Sequence, residues 1–155
     1  MKTLIRKTRS LLSVIVGLFV LLTSFSSPAG GECFEIYQDG KMILQRCGKD
    51  MNTVQTISLS NTAGSELTVK YFHCGQPGKD RVLALKTSDG KLLKEWKFTN
   101  TSGSNYAMKC GVQEIFSVKV SDPSNLKLYY ASKEKPEGKL IAIINTEKQI
   151  KTTTP

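Results

Sequence analysis

Histidine is nearly missing from this 155-residue chain: His73 stands alone. Most imidazole chemistry goes with it. A Ser-His-Asp or Cys-His hydrolase would have only His73 as its base. Blue copper, which takes two histidines and a cysteine, is excluded. No Gly-x-Ser-x-Gly elbow, P-loop or Gly-x-Gly-x-x-Gly string occurs. The four cysteines are separated by gaps of 14, 27 and 36 residues, which leaves no short zinc knuckle. Basic residues are scattered and no recognition module is visible, so nucleic acid is not an expected partner. No cofactor is expected. Helical periodicity is also lacking: beyond the first thirty residues no ten-residue stretch repeats at the period of a helix.

What the chain does have begins at its N-terminus. Lys2, Arg6, Lys7 and Arg9 come first, then the apolar run Leu11–Leu22, then the small and polar TSFSSPAGG. That order is the order of a secretory signal peptide. Ala29, with Ser27 before it, fits the cleavage site, and cleavage after Gly31 is the alternative. Twelve residues of helix reach about 18 Å, short of the roughly 30 Å hydrocarbon core, so no stable transmembrane span is expected. Glu32 ahead of Cys33 makes a poor lipidation site. The expected organisation is a signal peptide over 1–29, one domain over 30–146 and a polar tail over 147–155. The compartment is then periplasmic or extracellular. The net charge of +9 falls to +5 once the four basic residues of the signal are removed from the 22 Lys and Arg set against 13 acidic residues. An excess of that size keeps a surface solvated and favours anionic surfaces weakly.

Cys33, Cys47, Cys74 and Cys110 all fall in the exported part, where an even count reads as disulfides. Three pairings are open. Cys33–Cys47 with Cys74–Cys110 is the favoured one. The first bond would close a hairpin, but a two-residue turn leaves these cysteines one step out of register, so a bulge is required.

Turns are well marked. Asp39-Gly40 and Asp89-Gly90 each sit between apolar runs, the strongest short hairpin signal. Gln76–Lys79 has the Pro and Gly of a type II turn, and 61–65, 121–125 and 135–139 are further turn clusters. Between them lie ten strand-like runs, over 33–37, 42–47, 54–59, 67–74, 82–86, 92–98, 108–112, 116–120, 126–131 and 140–145. Several alternate as half-buried strands do: Leu67, Val69 and Tyr71 share a face, as do Leu126, Leu128 and Tyr130. Leu92, Trp96 and Phe98 share one that includes Lys94, which marks a possible edge. Residues 112–116 have one helical turn as an alternative to strand. About eight to ten short strands predict an all-β antiparallel sandwich following the signal-peptide helix, with a small β-barrel as the alternative. The order Cys74, Trp96, Cys110 imitates an immunoglobulin pattern, but the tryptophan comes too late and Met108 stands where a tyrosine belongs.

The succession His73-Cys74-Gly75, Arg81-Val82-Leu83, Leu93–Phe98 and Leu128-Tyr129-Tyr130, with the Phe34–Leu44 hairpin, resembles small exported β-domain proteins of Bacteroidota that carry no assigned function. The resemblance implies an exported β domain and brings no catalytic or binding residues. Cys33 and Cys47 are not part of that pattern.

The chemical readings are then few. Carboxylate pairs for glycoside hydrolysis are available from Glu35, Asp80, Glu95 and Glu114. Copper(I) would draw on His73, Met51, Met108 and a free thiol. Neither set stands in a marked setting, and no catalytic or metal residue is assigned. The longest polar loop, Thr99–Tyr106, places Asn100, Asn105 and Tyr106 as a possible ligand-contact loop. Trp96, Tyr129 and Tyr130 are further candidates for stacking on a sugar or touching a partner. Trp96 and Tyr130 read more simply as core. Asn100-Thr101-Ser102 forms a glycosylation sequon. The expected role is a non-enzymatic binding or interaction domain of the cell envelope or outside it, its partner an envelope protein or glycan. A small carboxylate-dependent envelope hydrolase is the first alternative, and a secreted inhibitor or toxin-like factor the second.

Overall fold

A computed structural model describes residues 31–100, 106–120, 122 and 124–146. The expected signal segment and polar tail lie outside the described residues.

The first hairpin shows how register is set. β1 (Cys33–Gln38) and β2 (Lys41–Cys47) meet through the Asp39-Gly40 turn, where both residues take positive φ. Gln38 faces Lys41 and Tyr37 faces Met42, but Ile36 faces Leu44, so Ile43 is an extra residue. That bulge moves Cys33 opposite Cys47, and the disulfide closes across a Cα–Cα distance of 4.2 Å.

β1 also pairs with β4 (Glu66–His73), whose far side carries β5 (Gln76–Pro77) and β8 (Met108–Gly111). The second sheet runs β3 (Thr56–Ser58), β10 (Lys135–Asn145), β9 (Leu126–Ser132), β6 (Arg81–Lys86), β7 (Leu92–Phe98). Every pairing is antiparallel except β3 with β10, so the second sheet is mixed. The described residues form an all-β sandwich of two five-stranded sheets, not a closed barrel.

Alternation supplies the core. Leu67, Val69 and Tyr71 on β4, Leu83 and Leu85 on β6, and Leu126, Leu128 and Tyr130 on β9 are all buried. Each such side chain contributes about 1.5–3 kcal/mol by leaving water. The rings of Tyr71 and Tyr130 stack 3.9 Å apart, centroid to centroid, and join the two sheets.

Five expectations need correction. Gln76–Lys79 is not a type II turn: the chain reverses at Cys74-Gly75, where both residues take positive φ, and Gln76 pairs opposite His73. Residues 116–120 do not form a strand. Val112–Phe116 is a short helix, α1, because Val112 and Ile115 point the same way into the core and Glu114 bonds back to the Gly111 amide. Residues 135–139 are not the turn: the chain reverses at Lys133-Glu134, and 135–139 carries a bulge with Gly138 at φ 77°. Leu92 does not share the Trp96 face, since a bulge at Leu93 puts it opposite Lys86 and leaves it 51% exposed. Cys74 and Cys110 do not pair. Cys110 lies opposite Leu67, and Cys74 is seven residues beyond Leu67 along β4 and its turn, roughly 23 Å at strand rise.

Candidate functional site

The outer face of the second sheet carries an open groove of about 310 Å³. Its floor comes from strand alternation: with Leu83 and Leu85 inward, Val82, Ala84 and Lys86 point out, and on β9 Tyr129 and Ala131 do the same. Ala84 faces Tyr129 and Val82 faces Ala131 across the β6–β9 pair, so the floor is small and apolar. The two bulges make the walls. The one on β7 brings Leu92 into the groove, and the one on β10 raises Pro136, Glu137 and Gly138 beside Tyr129. A β-carbon at Gly138 would lie in ordinary contact with the Tyr129 ring and Ala131, at 3.9 and 4.0 Å, and the φ of 77° is what favours glycine there.

The charges sit around the rim. Lys86 Nζ lies 4.6 Å from the centroid of Tyr129, a cation–π contact. Glu95 lines the groove from β7 and pairs with Lys97 at 3.2 Å; Glu137 lines it from β10 and pairs with Lys135 at 3.6 Å. Two carboxylates thus share one concave surface. A glycosidase general acid needs a carboxyl shielded from water and cations, whereas Glu95 and Glu137 are both exposed and lysine-paired. The arrangement suits binding better than bond cleavage.

A second polar cluster lies at the end of β4. His73 Nδ1 is 3.3 Å from Glu32, while Nε2 faces the Tyr130 hydroxyl at 3.0 Å and the Ser132 hydroxyl at 3.2 Å. Lys135 Nζ, at 3.2 Å, and the Tyr71 hydroxyl, at 3.1 Å, complete the Glu32 shell. Burial raises the pKa of Glu32, but hydrogen bonds from Lys135 and Tyr71 outweigh it and hold the carboxyl below its ordinary value. Burial pushes the Tyr71 and Tyr130 phenols up. Ser132, His73 and Glu32 therefore have the connectivity of a nucleophile, base and orienting acid. The surroundings deny them that use. Ser132 is buried, and Gly78 is packed so closely over it that a β-carbon there would clash with the Tyr130 hydroxyl and come within 2.8 Å of Ser132 Oγ. No room remains for a substrate, and the cluster works as a lock between the Glu32 segment, β4 and β9.

The expected contact loop is used at its stems. Asn100 exchanges hydrogen bonds with Asp80 at 2.7 and 3.0 Å. Buried Arg81 donates to the Thr99 and Tyr106 carbonyls, and the Tyr106 ring packs edge-on to Phe72. Asn105 lies outside the described residues. Of the carboxylates named from sequence, Glu35 bonds to Tyr37 on β1, Asp80 holds Asn100, and Glu114 accepts from Trp96 and Lys94; only Glu95 reaches the groove. Met51 and Met108 are core residues, Met108 lying opposite Val69, four residues from His73 along β4. Tyr130 is buried and Trp96 packs against the core.

Sequence reasoning missed Ser132, Glu32 and Arg81. Two of these had a signal: Ser132 continues the inward Leu126–Leu128–Tyr130 series, and Arg81 opens the inward series of Leu83 and Leu85. A polar residue on an apolar face implies buried partners.

Comparison of the chain with family models, curated proteins and solved structures finds no match. The groove and the lock are therefore read on their own chemistry.

Proposed function

We propose that the chain is an exported, non-enzymatic binding domain of the cell envelope or extracellular space, with the outer groove of the second sheet as its contact face. The observation that carries this reading is the groove: a small apolar floor beside an exposed-side tyrosine, ringed by charges of both signs. Binding sites commonly combine an apolar concave surface with a few polar groups at its edge. The Cys33–Cys47 bond supports an oxidising compartment, and the basic, apolar, small order of the first residues supports export. Kinship with exported Bacteroidota β domains belongs to the same proposal.

The test is a photo-reactive residue in place of Leu92, with a second at Met42, exposed on the other sheet, in the full chain made by an exporting bacterium. Adducts specific to position 92 in processed, exported protein are expected. Unprocessed chain kept in the cytoplasm with reduced thiols removes export from the reading. Equal adducts at both positions remove the groove as the contact face.

A further inference from the structure

We propose that Asp89-Gly90 is a site of spontaneous isoaspartate formation, and that the fold confines this modification to that pair. The chain contains two Asp-Gly steps, Asp39-Gly40 and Asp89-Gly90, and no Asn-Gly step. Both steps can follow one chemistry. The amide nitrogen of the glycine, which has no side chain to shield it, attacks Cγ of the preceding carboxyl. An N–Cγ bond forms, a Cγ–O bond breaks, and one water leaves with the amide proton. The product is a succinimide ring. Water then adds at the aspartate main-chain carbonyl carbon and breaks its bond to nitrogen, so the main chain continues through Cγ. One water is lost and one is gained, and no other reactant is needed.

The carboxyl must swing onto the next amide, so its tethers decide which pair reacts. Asp39 is tied to a distant part of the chain. Its Oδ1 accepts from the Glu66 amide at 2.8 Å and its Oδ2 from the Ser65 hydroxyl at 2.7 Å, while its own amide donates to the Glu66 carbonyl at 3.0 Å. The turn that holds it is closed on both sides by the facing pair Gln38 and Lys41. The Asp89 carboxylate is tied instead to Thr87, two residues away, and the Gly90 amide donates to the Thr87 carbonyl at 3.0 Å. These bonds are internal to a largely exposed connection, Thr87–Lys91, between the end of β6 and the start of β7. Lys127 reaches into this connection from β9 at the Ser88 carbonyl, not at the reacting groups. The Asp89 tethers therefore open when the loop alone fluctuates, with no strand pair broken. Both carboxyls lie below their ordinary value, Asp39 through the Glu66 amide and then Ser65, Asp89 through Thr87 and then its own amide. Ionisation thus does not separate the two pairs; the reach of the tethers does. Gly90 also lines the groove. An isoaspartate at position 89 lengthens the main chain there by one atom and remodels the end of the groove beside Lys86 and Leu92.

The experiment ages the purified protein in warm neutral buffer, once native and once in urea. Isoaspartate is then located by peptide mapping, with an isoaspartyl methyltransferase and a labelled methyl donor as the probe. In native protein the label at position 89 should exceed that at position 39 by at least about tenfold, because Asp39 must first give up two hydrogen bonds to its charged carboxylate. In urea, where both sets of tethers are gone, the two positions should label to a comparable extent. Asp89→Ser should remove the main native label. Ser65→Ala frees one oxygen of Asp39 and should raise the label at position 39 while near-ultraviolet circular dichroism stays native. Absence of label at Asp89 in native protein, equal labelling of the two positions, or more label at Asp39 overturns the inference. A natively folded Ser65→Ala protein with no rise at position 39 overturns the tethers as the reason for the selectivity. Should that variant fail to fold, the native and urea samples of the wild type still decide between the two positions.

Discussion

Ser132 and His73, one from the end of β9 and the other from the end of β4, meet at 3.2 Å between Oγ and Nε2, under the backbone of Gly78. Glu32 faces Nδ1 of the same ring at 3.3 Å, and the Tyr130 hydroxyl stands beside Ser132 at Nε2, 3.0 Å away. The cover is what fixes this arrangement. Gly78→Ala should destabilise the fold by about 1–3 kcal/mol, since the new methyl meets the Tyr130 hydroxyl and Ser132. Ser132→Ala should cost less, about 0.5–1.5 kcal/mol, because Tyr130 still serves His73. Urea denaturation of the two variants decides the order, and a larger loss from Ser132→Ala would contradict it.

Glu32 carries the acid dependence of this lock. Its folded pKa lies below the unfolded value of 4.5. The ionised form is therefore the one the fold favours, and its contribution is fully present above pH 4.5 and is lost as pH falls through the folded pKa. Glu32→Gln should lower stability at pH 7 and flatten the fall in stability below pH 4.5. Parallel acid titrations of wild type and variant, followed by unfolding free energy, check both effects. Equal slopes would remove Glu32 from the acid response.

The cysteines should separate cleanly by reagent. Cys74 is exposed in the native protein, whereas Cys110 is buried and its thiol is pushed up to about 12 by burial, then by Glu114 and Glu66. A maleimide should label Cys74 alone until denaturant is added, when Cys110 follows; the Cys33–Cys47 pair should label only after reduction. Replacing that pair by serines should cost about 2–3 kcal/mol in the chain-entropy account of so short a loop. Peptide mapping after native labelling tests the assignment, and a Cys74–Cys110 crosslink would overturn it.

Arg81 is 3% exposed, and its guanidinium ties the carbonyls of Thr99 and Tyr106. Arg81→Met keeps the apolar stem and leaves both carbonyls without their donor. A loss of about 2 kcal/mol is expected, with faster hydrogen exchange at Tyr106 and Asn100. Unchanged exchange at those amides would show that the arginine does not hold the loop stems.

The sandwich was largely legible because its strands alternate on both sheets: Leu67–Val69–Tyr71 and Leu126–Leu128–Tyr130 point where a period of two sends them. The need for a bulge between Cys33 and Cys47 was legible too, from the turn arithmetic. Positions governed by long-range pairing were not. Residues 116–120 alternate like a strand, yet the core takes Val112 and Ile115 at helical spacing. The bulge at Leu93 leaves no local mark, and the one near Gly138 marks the sequence as a turn cluster rather than as a bulge; those two irregularities place Leu92 and Glu137 in the groove. The Ser132–His73–Glu32 contact joins residues up to a hundred positions apart, which a single sequence does not bring together.

The position of β10 has a consequence for how the chain comes into being. It is the last strand described, yet it lies inside the second sheet, between β9 and the parallel β3. Among the described residues β3 has no other partner strand, so the segment made soon after the first hairpin waits for residues 143–145 before it can pair. A nascent chain that has not reached Asn145 cannot close that side of the sandwich, and its apolar strands stay open to holding factors. The β3–β10 pair is therefore among the last contacts of the described fold to form.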